Sequence, residues 1–324
     1  MWKDFDTKFK GILERLSRHK GLVESRASVT QYRIYQEDIA AIKARVGEVI
    51  IQNRNKQLGE VKEWFAVDVP PDDYHLRHQT TKAEYQGTGN WIIEKNETIR
   101  KWLDTNDPDK PLLWMTGIPG AGKTILASVV VDECKSKTDC LTNYYYCQYS
   151  EAKGNAVVGV LKGLLSQLLD QHSELLPHCH SQKNHSGEPS LRSLVVAKRL
   201  LVDFCSAARK RFMIIDGVDE YETAERKQLL EFLVELVRLC DEDEPGKLRV
   251  LIVSQDFPDI RKELHNCKNP KILPKIISLS SADNKNDIHT FVGAWVSRIK
   301  EKYAPLSEEQ CQYLLNLTVE KAHG

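Results

Sequence analysis

The stretch PLLWMTGIPGAGKTILASVV, residues 111–130, constrains this chain more than any other. Leu112 to Met115 is an unbroken apolar run, the pattern of a strand buried on both faces. Gly117, Gly120 and Gly122 follow, and Lys123-Thr124 opens a new pattern with Ile125, Leu126, Val129 and Val130 on one helical face. Strand, glycine turn and helix N-terminus in that order bring backbone N–H groups and the positive end of a helix dipole to one point, an arrangement that suits a phosphate. Gly117-Ile118-Pro119-Gly120-Ala121-Gly122-Lys123-Thr124 fits G-x-x-x-x-G-K-[ST]. Lys123 is then expected to reach the β- and γ-phosphates of a nucleotide, and the Thr124 hydroxyl to ligate Mg²⁺.

A second stretch, RFMIIDGVDEY at 211–221, narrows the chemistry. Phe212 to Ile215 reads as a buried strand with Asp216 at its end, where a carboxylate can serve the Mg²⁺ shell. Asp219 and Glu220 follow at once. A carboxylate beside the γ-phosphate can orient or deprotonate an attacking water.

Around these motifs, strand and helix patterns alternate. Strands are expected at 112–116, 142–148, 211–215, 249–254 and 275–279, and amphipathic helices near 123–134, 156–171, 190–209, 223–240 and 286–303. Alternation of this kind argues an α/β fold, a parallel sheet with helices on both faces. Ser307-Glu308-Glu309-Gln310 fits a capping box for one more helix.

The first 65 residues read differently. Phe5, Phe9, Ile12, Leu13 and Leu16 fall at helical spacing, and Lys20-Gly21 ends that helix. Tyr32, Tyr35, Ile39, Ile42, Val46 and Val49 then step by three and four, as in a heptad seam. The seam suits either a long helix in a bundle or a coiled-coil face. Residues 66–86, with Pro70-Pro71, acids and Gly87 just beyond, are expected to form a linker. The domain reading is therefore a helical region at 1–65, a linker at 66–86, a nucleotide-binding domain at 87–303 and the start of a C-terminal helical region at 304–324.

The 46 basic and 46 acidic side chains give zero formal net charge, so no basic footprint points to nucleic acid or a membrane surface. No apolar run is long enough to span a bilayer. Eight cysteines without a C-x-x-C spacing read as reduced thiols, and a cytoplasmic location is expected.

Asp216-Gly-Val-Asp219-Glu220 after an apolar strand resembles the extended Walker B motif of NACHT domains, in the STAND class of signal-transduction ATPases. GTGNWIIE at 87–94, together with LLWMTGIPGAGKTILAS, is similar to the nephrocystin 3-like NACHT proteins of filamentous fungi. The resemblance covers about 85 to 300. It implies a P-loop NTPase of the additional-strand type: five parallel strands, one of them inserted between the strands of Lys123 and Asp216. It implies a nucleotide switch using ATP with Mg²⁺, with phosphate held by residues 117–124. Asp216 would serve the metal, Glu220 would be the base, and Asp219 would stand beside it. Self-association or a partner protein would engage the helical N-terminus.

Two departures qualify the expected activity. Ser254 is followed by Gln255 where related domains often carry Arg as a γ-phosphate sensor; an uncharged donor bonds about half as strongly as a charged one, so slow hydrolysis is expected. The family usually continues beyond this point into a lid and ankyrin or WD repeats, so a fragment of a larger receptor, a truncated product and a stand-alone form stay open. A catalytically inert nucleotide-binding scaffold is the alternative reading. A small-molecule P-loop kinase is a remote one, since no arginine cluster follows Asp216.

Three further features carry weaker readings. Asn284-Lys-Asn-Asp287 matches the guanine-reading pattern N-x-x-D, but reads better as a helix start capped by Asp283 or Asn284, so ATP is preferred to GTP. His172, His178, Cys179, His180 and His185 are possible metal ligands, read instead as a mobile insertion. Trp91 either lines a base pocket or packs against the sheet edge.

Overall fold

The computed structural model describes residues 9–13, 15, 28–106, 110–149, 155–207, 209–266, 269–280, 283–302 and 306–321. Met1–Gly59 and Glu60–Gly324 form two units. In the first, residues 9–13 are helical, and helix α1 begins at Ser28 and runs on to Trp64. Phe5, Leu16 and the expected stop at Lys20-Gly21 lie outside the described residues, as does Gly324.

The second unit is built on five strands: β1 (Leu112–Thr116), β2 (Leu141–Tyr146), β3 (Arg211–Asp216), β4 (Leu248–Ser254) and β5 (Lys275–Ser278). They stand in the order β2-β3-β4-β1-β5 and every pair is parallel. Every residue of β1, β3 and β4 is buried, which is why residues 112–115, 212–215 and 250–253 read as unbroken apolar runs. β4 lies between β1 and β3, as the resemblance implied. The register aligns Thr116 with Ser254 and Asp216 with Val253, so the loops leaving β1, β3 and β4 emerge at one edge. In open parallel sheets that edge is where ligands bind.

The helices of this unit, in chain order, are α2 (Pro71–Glu84), α3 (Trp91–Glu94), α4 (Glu97–Leu103), α5 (Lys123–Ser136), α6 (Ala156–Gln171), α7 (Leu176–Ser186), α8 (Leu194–Ala207), α9 (Thr223–Asp243), α10 (Pro258–His265), α11 (Lys285–Lys302) and α12 (Glu308–Lys321). Ile99, Leu126, Val130 and Cys134 of α4 and α5 share a core with Met115, Tyr144, Ile214 and Val253, which lie on one face of the sheet. The expected capping box at Ser307 forms: Gln310 N–H donates to the Ser307 hydroxyl and Ser307 N–H to the Gln310 side chain.

Two expectations give way. The segment read as a linker, 66–86, contains helix α2. Pro71 sits at its first turn, where a missing N–H costs nothing, and Asp72 and Asp73 face the positive dipole end. The prolines and acids that looked like loop chemistry are helix-start chemistry. His75 of α2 is buried and bonds the Tyr146 hydroxyl at 2.8 Å and Asp132 of α5 at 3.0 Å. Gln79 and Lys82 donate to the same carboxylate at 2.7 and 2.5 Å.

Of the histidine-rich stretch, His178, Cys179, His180 and His185 likewise lie on a helix, α7, with Pro177 in its first turn and Gly187 closing it at φ 64°, while His172 precedes it. Its histidines go to separate carboxylates, His178 to Asp203 and His180 to Glu60. Among the described residues no cluster of His, Cys, Asp or Glu is arranged to hold a metal ion, and no helix is long and apolar enough to cross a membrane.

Candidate nucleotide-binding site

The loop between β1 and α5 is shaped by backbone that side chains resist. Gly122 stands at φ 73°, a left-handed conformation that a residue with a Cβ adopts only at a cost. From there α5 starts directly at Lys123 and Thr124. The Lys123 ammonium donates to the Gly117 and Ile118 carbonyls, each at 2.9 Å, which folds it back across the loop. Burial lowers its affinity for a proton; Asp219, Asp216 and Glu220, in that order of influence, pull it back up.

Opposite the loop, Asp216 ends β3 almost fully buried. Burial pushes its carboxyl up to about 7, while the neighbouring Thr124 hydroxyl and the charge of Lys123 act the other way. A buried carboxylate coupled to a threonine hydroxyl is a hard-oxygen pair that fits Mg²⁺, and a divalent charge would offset the burial that disfavours ionised Asp216. Gly217 follows at φ 76°, with room for no side chain: a Cβ there would stand 2.9 Å from the Cys147 carbonyl oxygen. The chain then turns through Val218–Glu220, leaving Asp219 half-buried and Glu220 exposed.

Gln255 leaves β4 beside this turn and bonds Asp219 twice, from its backbone N–H at 3.0 Å and its side-chain amide at 2.8 Å. Ser254 is fixed behind it by the Trp114 indole N–H at 2.8 Å. The structure thus brings Lys123, Thr124, Asp216 and Asp219 together and joins Gln255 to Asp219.

Sequence reasoning missed two contributors. Asn284, weighed only as a helix cap or a base reader, donates to the Ala121 carbonyl in the phosphate loop at 2.7 Å. Asp287 accepts from Gly89 N–H at 2.9 Å and from the Trp91 indole at 3.0 Å, anchoring the Gly87–Trp91 turn to α11. Trp91, Asn90, Asp283 and Asp287 help line a cleft of about 560 Å³. Both missed contacts join segments nearly 200 residues apart or more than 150 apart, and no local spacing announces them.

The chain is similar to several known proteins. The family model described as nephrocystin 3, N-terminal, matches residues 87–255. The vegetative incompatibility protein HET-E-1 of Podospora anserina is 28% identical over 230 residues, covering 69% of this chain and 16% of that protein. This chain therefore spans about a sixth of that relative's length. Among solved structures, the Walker-type ATPase paby2304 of Pyrococcus abyssi aligns with a TM-score of 0.41 at 14% identity, over 71% of this chain and 67% of its own. Cdc6p from Pyrobaculum aerophilum aligns at 0.40 with 16% identity, over 78% and 57%.

Proposed function

Since the chain belongs to the nephrocystin 3 N-terminal family, a NACHT-type group of P-loop NTPases, we propose that it binds ATP with Mg²⁺ and hydrolyses it slowly as a signal-transduction switch. The observation that carries this reading is the meeting of Lys123, Thr124 and Asp216 at one sheet edge, where Thr124 and the charge of Lys123 both favour the ionised Asp216 carboxylate. Residues 117–124 would cradle the phosphates through backbone N–H groups, and Lys123 would turn from the Gly117 and Ile118 carbonyls to the β- and γ-phosphates. Thr124 and Asp216 would hold Mg²⁺, which neutralises charge on the β- and γ-oxygens. Glu220 would accept the proton of the attacking water as its oxygen bonds the γ-phosphorus and the bond to the β-phosphate oxygen breaks. Asp219, held by Gln255, would orient that water.

ATP is favoured over GTP because Asp287, the acid a guanine reader needs, already accepts from Gly89 and Trp91. The name of HET-E-1 attaches that relative to an incompatibility response, which supports a signalling role here over a metabolic one. We place the protein in the cytoplasm, with self-association or a partner protein engaging the N-terminal helix. A second reading, a nucleotide-binding scaffold without turnover, is favoured by one observation: the Gln255 side-chain amide is uncharged and is turned onto Asp219, so this position brings no positive charge to a γ-phosphate.

Turnover measured on wild type and Glu220→Gln separates the two. The switch reading expects slow phosphate release from wild type and retained triphosphate in the variant. Absence of release from wild type supports the scaffold, and unchanged release from the variant removes Glu220 as the base.

A further inference from the structure

Helix α1 carries an apolar seam that the described residues leave open. Of Tyr32, Tyr35, Ile39, Ile42, Val46 and Val49, all but Ile39 are exposed, Tyr35 by 56% and Ile42 by 61%. Their spacing of three and four makes Tyr32, Ile39 and Val46 one row of a coiled-coil seam and Tyr35, Ile42 and Val49 the other. A lone amphipathic helix gains little from propensity alone, so such a stripe is stable when another surface covers it.

We propose that the occupant is a second copy of this helix, paired antiparallel about a two-fold axis between Ala40 and Ala41. The inference deepens, and rests on, the self-association reading above. Antiparallel pairing sets Tyr32 against Val49, Tyr35 against Val46 and Ile39 against Ile42, so each large ring meets a small branched side chain. The same register places Asp38 of each copy beside Arg45 of the other, giving two opposite-charge contacts on one flank of the seam, one on either side of the two-fold axis. Gln36 meets Lys43 on the other side. Parallel pairing would stack tyrosine on tyrosine in two successive layers. It would also put the β-branched Ile42 and Val49 in the row where two-stranded coils prefer leucine, a composition that favours three or four strands.

Sedimentation velocity of the full chain over a concentration series tests this. The expected result is a monomer–dimer equilibrium that Ile42→Asp abolishes while ATP affinity stays at the wild-type value. Asp38→Arg weakens the dimer several-fold, and Asp38→Arg combined with Arg45→Asp restores it. A wild type that stays monomeric at every concentration overturns both the pairing and the self-association reading. A dimer that survives Ile42→Asp leaves self-association standing and overturns the helix pairing. Restoration by Asp38→Arg with Lys43→Asp, but not with Arg45→Asp, overturns the antiparallel register.

Discussion

Gln255 and Asp219 are joined at both oxygens of the carboxylate, one by the backbone N–H of Gln255 at 3.0 Å and the other by its side-chain amide at 2.8 Å. The pair spans the loops that leave β3 and β4, and it sets the direction of the one acid that most strongly raises the affinity of Lys123 for its proton. The residue that follows Ser254 thus holds the acidic motif from the side.

Gln255→Ala removes the side-chain bond and keeps the backbone one. A hydrogen bond to a charged group contributes roughly 1.5–3 kcal/mol, so turnover should fall about ten-fold or more with ATP affinity little changed. Asp219→Asn should give a similar loss, and the double variant no more than either alone. Steady-state phosphate release on the three variants checks this; additive losses would show that the two residues act separately.

Gly217 has two reasons to resist replacement, its φ of 76° and the Cys147 carbonyl 2.9 Å from where a Cβ would stand. Gly217→Ala should lower stability by about 2–4 kcal/mol, combining left-handed strain with displacement of backbone. Gly120 has a similar φ but open space around it, so Gly120→Ala should cost about 1–2 kcal/mol. Urea unfolding of the two variants provides the comparison.

The strand, loop and helix around Lys123 were legible because all their determinants are contiguous. The glycines, the lysine and the flanking apolar runs act on neighbours. Helix α2 was not legible, since Pro70-Pro71 and the acids after it describe a loop and a helix start equally well. What decides between them is the burial of His75 against Tyr144 and Tyr146 of β2 and its bond to Asp132. Gln255 was legible as a residue in a significant place, but its partner was not, because two loops from different strands must meet before Asp219 comes within reach. Asn284 and Asp287 were legible as a helix start, and α11 does begin at Lys285, but their partners Ala121, Gly89 and Trp91 were not, for the same reason.

Asp132 ties α5, the helix of the phosphate loop, to α2. Burial alone would raise its carboxyl; the bonds from His75, Lys82 and Gln79 outweigh this and hold it well below the usual carboxylate range. A carboxyl lowered in the folded state adds stability above its unfolded value, near pH 4, and that stability is lost as pH falls further toward the folded value. Asp132→Asn should therefore be about 2 kcal/mol less stable than wild type at neutral pH, with the gap narrowing below about pH 4. Denaturation of both proteins at a series of pH values measures it; a gap that widens on acidification would contradict the sign.

Asn284→Ala removes the bond from the α11 start to the Ala121 carbonyl. The loop loses an anchor outside its own strand and helix, so ATP affinity should drop several-fold with the melting temperature nearly unchanged. Calorimetric titration against wild type checks this, and equal affinities would make the contact incidental.

Nucleotide binding rests first on Lys123 and the loop around it. Titration of ATP with Mg²⁺ into wild type and Lys123→Ala, followed by isothermal calorimetry, tests it most directly. Saturable binding to wild type, lost in the variant while its thermal unfolding is preserved, is the predicted result. Equal binding by the two proteins, or no binding by wild type, would contradict the assignment of the Gly117–Thr124 loop as the seat of the nucleotide.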